Sequence, residues 1–143
     1  MNSLLYTMIQ LNCGVIVALI LVCVGMGCLT QEEADEVEIF VQEVKPDQTT
    51  SSVNISIAVF YRNYEIIEDA RLVCYLKKYE HTQWYATGET TEITIGHIDR
   101  GFNQLYYPGF SNLTAGKYMV VLQIIDGANE TRGETLSPSF EIL

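Results

Sequence analysis

The only histidines in this chain of 143 residues, His81 and His97, are its candidates for a histidine base in hydrolytic chemistry. His81 lies in the polar segment Tyr79-Glu80-His81-Thr82, and His97 follows Gly96 at the predicted end of a strand. A catalytic triad needs a nucleophile within hydrogen-bonding distance of its base, and neither histidine adjoins a motif of the nucleophile-elbow type. We therefore interpret both as turn or surface residues and predict no catalytic residues and no enzyme.

The sequence also lacks a donor set for a metal or a cofactor. A closed zinc site usually takes four Cys or His ligands, whereas the part of the chain after residue 29 has two histidines and one cysteine, Cys74. Asp126, Asn129 and Glu130 offer oxygens in one short segment, but calcium takes six to eight, and Asp-Gly is ordinary hairpin-turn chemistry. We predict neither metal nor cofactor, and we expect Cys74 to be a small buried core residue.

Three sequons of the form Asn-X-Ser/Thr are present, at Asn54, Asn112 and Asn129. Such a site is usable only on an exposed segment of a protein outside the cytoplasm. Asn112 and Asn129 fall in predicted turns, and Asn54 falls on the outward phase of a predicted strand. The sequence leaves two interpretations open, which are N-glycosylation at these sites and unused sequons in a Thr-rich β-domain.

Aromatic residues are the remaining candidates for binding, because an exposed cluster can stack on sugars or form a protein-binding patch. Tyrosine is also a good strand former on half-buried faces, and we favour that interpretation for most of them. Adjacent strand residues face opposite ways, so we expect either Tyr106 or Tyr107 to be exposed. The residues concerned are Tyr61, Tyr64, Tyr75, Tyr79, Trp84, Tyr85, Phe102, Tyr106, Tyr107 and Phe110.

The elements that position these residues begin with an uncharged apolar head. No charged side chain precedes Glu32, and the run from Cys13 to Leu29 is uninterrupted. Residues 4–29 together are long enough to cross a bilayer as a helix. The flank before the run has no Lys or Arg to set its orientation, and the segment after it, residues 30–36, is acidic. We predict a membrane-anchored protein with its body on the extracytoplasmic side.

The end of the head, Val24-Gly25-Met26-Gly27-Cys28-Leu29-Thr30, resembles the lipobox of lipoproteins. Gly27 is the small residue expected before the cysteine, and a polar, acidic tether follows. The resemblance implies cleavage before Cys28 and lipid attachment to it. Gly25 and Met26 depart from the pattern, which has a Leu-like residue and an Ala or Ser there. An uncleaved signal-anchor helix is the alternative.

The body is acidic but its charge is concentrated near the tether. The chain has a formal net charge of −10, which argues against a nucleic-acid partner because phosphates would be repelled. From Val37 onward, short runs alternate apolar and polar residues, most clearly from Val53 to Tyr61, and turn residues separate them. We predict seven or eight strands without a helix, forming an antiparallel β-sandwich. The predicted strands include separate ones at 84–86, 91–95 and 102–107.

Leu113-Thr114-Ala115-Gly116-Lys117-Tyr118 resembles the corner before strand F in immunoglobulin-like and fibronectin type III-like domains. The resemblance implies that Leu113 plugs the core, Gly116 makes the turn, and the Tyr118 hydroxyl bonds back to the corner backbone. The segment 53–63 also resembles cell-adhesion-related domains of bacterial and archaeal surfaces. These resemblances cover roughly residues 36–143 and imply a binding or spacer module, without transferring any binding residue.

Together these observations predict three parts: a hydrophobic signal or anchor segment (1–29), an acidic tether (30–36) and an immunoglobulin-like β-sandwich (37–143). The whole resembles small archaeal or bacterial surface lipoproteins. We expect noncovalent binding or spacing at the cell surface, with a surface protein or a glycan as partner. The alternative is an accessory subunit of a membrane complex, such as a transporter or an envelope assembly.

Overall fold

The computed structural model describes residues 37–143, which form an all-β, antiparallel, two-sheet domain. No helix occurs within this range, and therefore none that could cross a membrane. The predicted anchor (1–29), the tether (30–36) and Cys28 lie outside the described residues. The nine strands of this range are β1 Val37–Asp47, β2 Ser52–Tyr61, β3 Ile67–Glu80, β4 Gln83–Ile98, β5 Gly101–Phe102, β6 Gly109–Phe110, β7 Gly116–Ile125, β8 Thr131–Leu136 and β9 Phe140–Ile142.

The first sheet has the order β1-β2-β5, and β6 also pairs with β2. Because β5 and β6 lie along the same strand at opposite ends and Tyr106 bridges to Ile57 between them, residues 101–110 act as one interrupted edge strand. The second sheet has the order β4-β3-β7-β8, and β9 pairs with β7 beyond β8. Ser137 spans that break, since its hydroxyl accepts a hydrogen bond from the Val120 amide at 2.9 Å.

Alternation explains why these strands pack into two layers. Successive side chains of a strand point to opposite faces, and in β2 the phase of Ile55, Ile57 and Val59 is fully buried. Full burial of one such side chain stabilises the fold by about 1.5–3 kcal/mol. Core packing can therefore hold the short strands in place although they form few pairs of their own. The second sheet supplies the opposite layer with Leu72, Cys74, Leu76, Val120, Leu122 and Ile124.

The predicted strand boundaries were wrong in the second half of the domain. Segments 84–86 and 91–95 belong to one strand, β4, because Gly88 adopts a φ of 85° and the pairing shifts its register between Tyr75 and Lys77 rather than ending. A bulge of this kind lets a strand continue past a glycine. The predicted strand at 102–107 is interrupted, and β8 was not predicted. The strand β1 continues through Pro46, which an edge strand tolerates.

The two sheets are in tight contact where β1 begins. Gly133 of β8 is buried, and a Cβ atom there would overlap the carbonyl oxygen of Val37. A side chain at position 133 would therefore push the start of β1 away from the second sheet. The requirement for glycine is steric, and it fixes the place at which the chain enters the sandwich.

Candidate functional site

Strand directions give the domain two distinct ends. Val37 pairs with Tyr61, so the chain enters beside the β2–β3 loop (62–66), residues 99–100 and the β7–β8 turn (126–130); we call this the entry end. The opposite end carries the β1–β2 turn (48–51), the β3–β4 turn (81–82) and the segment 111–115, and we call it the far end. The candidate residues from the sequence are divided between these two ends.

Tyr118 lies at the far end and forms the corner hydrogen bond that the resemblance implies. Its hydroxyl donates to the Thr114 carbonyl at 2.7 Å, and its ring stacks on Phe140 with centroids 5.8 Å apart. Leu113 is buried. Gly116 has a φ of 153°, and a Cβ atom there would meet the Lys78 Cε at 2.7 Å. This corner is therefore a structural device that holds the segment before β7 against the core.

The same end carries an aromatic group on the β3–β4 hairpin, which we call the aromatic tip: the exposed Tyr79 and Tyr85 and the half-buried Trp84. Tyr79 pairs directly with Trp84 and their ring centroids are 5.2 Å apart. Tyr85 pairs with Lys78 and faces the other way. Tyr79 and Tyr85 are 41% and 47% exposed. The tip thus presents aromatic surface on both faces of the hairpin.

The turn of this hairpin has an unusual conformation. His81 and Thr82 are its two loop residues, and their φ angles are 48° and 69°. Two-residue hairpin turns with positive φ at both positions are normally built from Asn-Gly or similar pairs, and left-handed conformations of other residues cost of order 1–3 kcal/mol. The hairpin register therefore imposes this turn against the local preference of His81 and Thr82.

The three sequon asparagines are exposed but are not brought together. Asn54 lies on the outward face of β2, beside Gly109 of β6. Asn112 and Asn129 occupy turns, with φ angles of 59° and 65°. Asn112 is at the far end and Asn129 at the entry end, where its side-chain oxygen accepts a hydrogen bond from Arg71. Glycans at Asn112 and Asn129 would therefore lie at opposite ends of the domain, and one at Asn54 would lie toward the end that carries Asn112.

The residues considered for reactive chemistry do not converge. Cys74 is fully buried, as predicted, and burial raises the pKa of its thiol to about 12. The thiolate, which is the nucleophile and metal ligand, is therefore not formed at neutral pH. His81 is exposed in its turn, and the His97 Nε2 lies 3.4 Å from an Asp99 carboxylate oxygen. Within residues 37–143, no three His, Cys, Asp or Glu side chains are grouped to hold a metal.

A cavity of about 290 Å³ opens at the entry end, between the β2–β3 loop and the β7–β8 turn. Its lining includes Tyr61, Glu65, Asp69, Asp126 and Arg132. The Asp126 carboxylate is occupied by protein donors: one oxygen accepts the amides of Ala128 and Glu130 at 2.9 Å each, and the other accepts Arg132 Nε at 2.7 Å. Asp126 therefore closes the turn rather than offering oxygens to a ligand.

The prediction that one of Tyr106 and Tyr107 is exposed is confirmed, but the aromatic tip was not predicted. Tyr106 is buried and Tyr107 is exposed, as alternation requires. The sequence identified Tyr79, Trp84 and Tyr85 only among the ten aromatic residues considered for binding. The signal that identifies them as a group is the register of the β3–β4 hairpin, which the two-residue turn at 81–82 sets.

No family model matches the sequence, and no curated protein matches it. Among solved structures, the chain is similar to a late embryogenesis abundant protein, with a TM-score of 0.48 and 10% identity over 95% of this chain and 88% of that chain. It is also similar to a glycoside hydrolase family 2 β-glucuronidase, with a TM-score of 0.45 and 14% identity over 78% of this chain and 12% of that chain. It is also similar to a sporulation control protein from Bacillus subtilis, with a TM-score of 0.38 and 11% identity over 75% of this chain and 47% of that chain. Similarities of this size carry no argument about function.

Replacing Tyr118 by Phe should lower the free energy of unfolding by about 1–2 kcal/mol, because the Thr114 carbonyl loses its donor within a partly buried corner. Urea denaturation measures the loss. Tyr107→Phe, at an exposed tyrosine, is the matched control and should change stability little. Equal effects of the two substitutions would contradict the role of the corner hydrogen bond.

Asp126 should make the domain less stable in acid. The Glu130 amide hydrogen bond, together with Arg132 and Ala128, outweighs burial and lowers the pKa of the Asp126 carboxyl below its ordinary value of 3.8. A lowered folded-state pKa contributes stability that is complete above the ordinary value and is lost as the pH falls through the folded-state pKa. Urea midpoints measured from pH 7 to pH 2 should therefore fall below about pH 4, and Asp126→Asn should flatten that fall. Asp99→Asn, at an exposed carboxylate, is the control and should leave the fall of the urea midpoint with pH unchanged.

Proposed function

We propose that this chain is a membrane-anchored protein with an extracytoplasmic β-sandwich. At the cell surface this domain binds a surface glycan or protein, or acts as a spacer. The anchor is residues 4–29 or a lipid on Cys28, and residues 30–36 are the tether. The single observation that carries this proposal is the placement of two features at opposite ends of the domain: the described chain begins at the entry end, and the aromatic tip lies at the far end.

The distance between these ends suits presentation of a binding surface. The strand β3 runs from Ile67 near the entry end to Glu80 beside the tip, and its 14 residues span about 45 Å at 3.3 Å per residue. A domain attached through Val37 can thus hold the tip well away from its point of attachment. Tyrosine and tryptophan combine a large apolar ring with a polar group, which suits them to binding at wet surfaces.

We further propose that the sandwich is of the immunoglobulin-like or fibronectin type III-like kind. In support, three strand positions (β1, β2 and residues 101–110) face four (β4, β3, β7 and residues 131–142). The Tyr118 corner before β7 also agrees with such domains. This kind of domain hosts many unrelated functions, so the binding role rests on the aromatic tip and not on the fold.

The three exposed asparagines are proposed glycosylation sites. Exposure is the physical requirement of the acceptor, and Asn54, Asn112 and Asn129 all meet it. Asn129 lies at the entry end, so a glycan there would leave the aromatic tip uncovered.

The intact mass of the protein extracted from membranes tests the anchoring. Lipidation predicts a chain that begins at Cys28 and carries added lipid mass, and Cys28→Ala should abolish both. A signal anchor predicts the full-length mass, unchanged by the substitution apart from the side chain itself. Hexose-containing additions would show which sequons are used. A protein that stays in the soluble fraction at its full-length mass would contradict the anchored function.

The tip can be tested through its own fluorescence, because Trp84 is the only tryptophan. We expect soluble envelope glycans or a purified surface protein to shift Trp84 emission saturably, since the ring would leave water. Tyr79→Ala should weaken binding by at least about tenfold, the equivalent of 1.4 kcal/mol for a lost aromatic contact. Tyr107→Ala, an exposed tyrosine outside the tip, should bind normally. Binding that is equally unaffected by both substitutions would place the site elsewhere.

A further inference from the structure

Three aromatic rings form a continuous patch on the outward face of the first sheet. The ring centroid of Phe102 lies 4.8 Å from that of Phe60 and 6.1 Å from that of Phe40. Phe102 is 74% exposed. We call Phe40, Phe60 and Phe102 the aromatic patch.

Strand register assembles this patch from three separate parts of the chain. Phe40 of β1 pairs with Ala58 of β2, and Phe60 of β2 pairs with Phe102 of β5. Ala58 faces the same side and is only 7% exposed, because it lies between the rings. The alternate residues Ile39 and Val59 point to the core, so the patch takes no part in holding the two sheets together.

The surroundings of the patch combine arginine with a second exposed aromatic residue. Arg62 forms an ion pair with Glu38. The Arg100 Nε donates to the Arg62 carbonyl at 3.1 Å, and the Arg100 guanidinium lies 3.9 Å from the centroid of the Tyr64 ring. Tyr64 is 82% exposed. All of these residues lie at or near the entry end.

We propose that the aromatic patch rests in the interfacial layer of the bilayer that anchors this chain. The proposal depends on the proposed membrane anchor and adds a second, noncovalent contact to it. The seven residues from Thr30 to Glu36 span at most about 25 Å in any conformation. Phe40 follows Val37 by three residues, or about 10 Å along the strand. The anchor therefore keeps the patch within reach of the lipid at a high effective concentration.

The side chains of the patch suit contact with the membrane interface better than contact with a second protein. Aromatic side chains concentrate at membrane–water interfaces, and long arginine side chains extend their charge toward water there. Glu38 pairs with Arg62 beside the rings, and Asp99 precedes Arg100 in the sequence, so these four residues carry no net charge, whereas the whole chain is strongly acidic. Acidic proteins are repelled by anionic lipid, so the contact should form on zwitterionic lipid and should depend little on salt.

Tryptophan fluorescence in vesicles of brominated phosphatidylcholine tests the proposal with the full-length chain. The probe variant is Trp84→Phe with Phe102→Trp, and the wild type, whose only tryptophan is at the far end, is the first control. A second control, Trp84→Phe with Leu136→Trp, places the probe on the exposed face of the second sheet. Interfacial groups sit roughly 5–10 Å into the headgroup and acyl boundary, so the bromines should remove about half or more of the emission of the tryptophan at position 102 only.

The outcomes separate this proposal from the anchor on which it rests. Selective quenching at position 102, unchanged in high salt, supports the lipid contact. A probe at position 102 that floats with the vesicles but is not quenched overturns it and leaves the anchor intact. Blue-shifted emission that ignores bromine also overturns it, because a second copy or another protein then covers the patch. A full-length chain that does not float with the vesicles overturns both proposals.

Discussion

The structure depends on one constraint, which is that the inward phases of β2, β3 and β7 must be buried against each other. These strands carry the fully buried Ile55, Ile57, Leu72, Leu122 and Ile124, and the described domain has no helix to cover a sheet face by other means. Once these inward-facing side chains are fixed, alternation along each strand determines which of the other side chains face the solvent. The corner tyrosine, the two short edge segments and both exposed aromatic groups take their positions from that assignment.

Local patterning predicted the parts of the fold that local sequence determines. The alternation from Val53 to Tyr61 identified β2, the two-sheet antiparallel class followed from the spacing of the runs, and the burial of Cys74 followed from its place in an apolar run. Glycine misled the prediction at Gly88, because a bulge and a strand end look alike in sequence. Only the partner strand decides between them, and β3 holds the register through the bulge.

The exposed aromatic groups could not be predicted, because each is a product of pairing. Tyr79 and Trp84 meet across a hairpin whose turn uses His81 and Thr82 in conformations that their sequence does not favour. Phe40, Phe60 and Phe102 meet only because β1 and β5 flank β2, although Phe102 is more than forty residues away from Phe60 in the sequence. The same long-range pairing places Asn112 and Asn129 at opposite ends of the domain.

The tight contact at Gly133 has a mechanical consequence. Val37 pairs with Tyr61 of β2 and packs so closely on Gly133 of β8 that a side chain there would overlap it, so tension on the chain acts where the two sheets touch. Between Val37 and the hairpin tip, a pull runs parallel to the strands. The ten residue pairs of β1 and β2 are then sheared together instead of being unzipped one after another, because their hydrogen bonds lie perpendicular to the pull. The domain is therefore built to resist stretching along its long axis better than peeling of β1 from its edge.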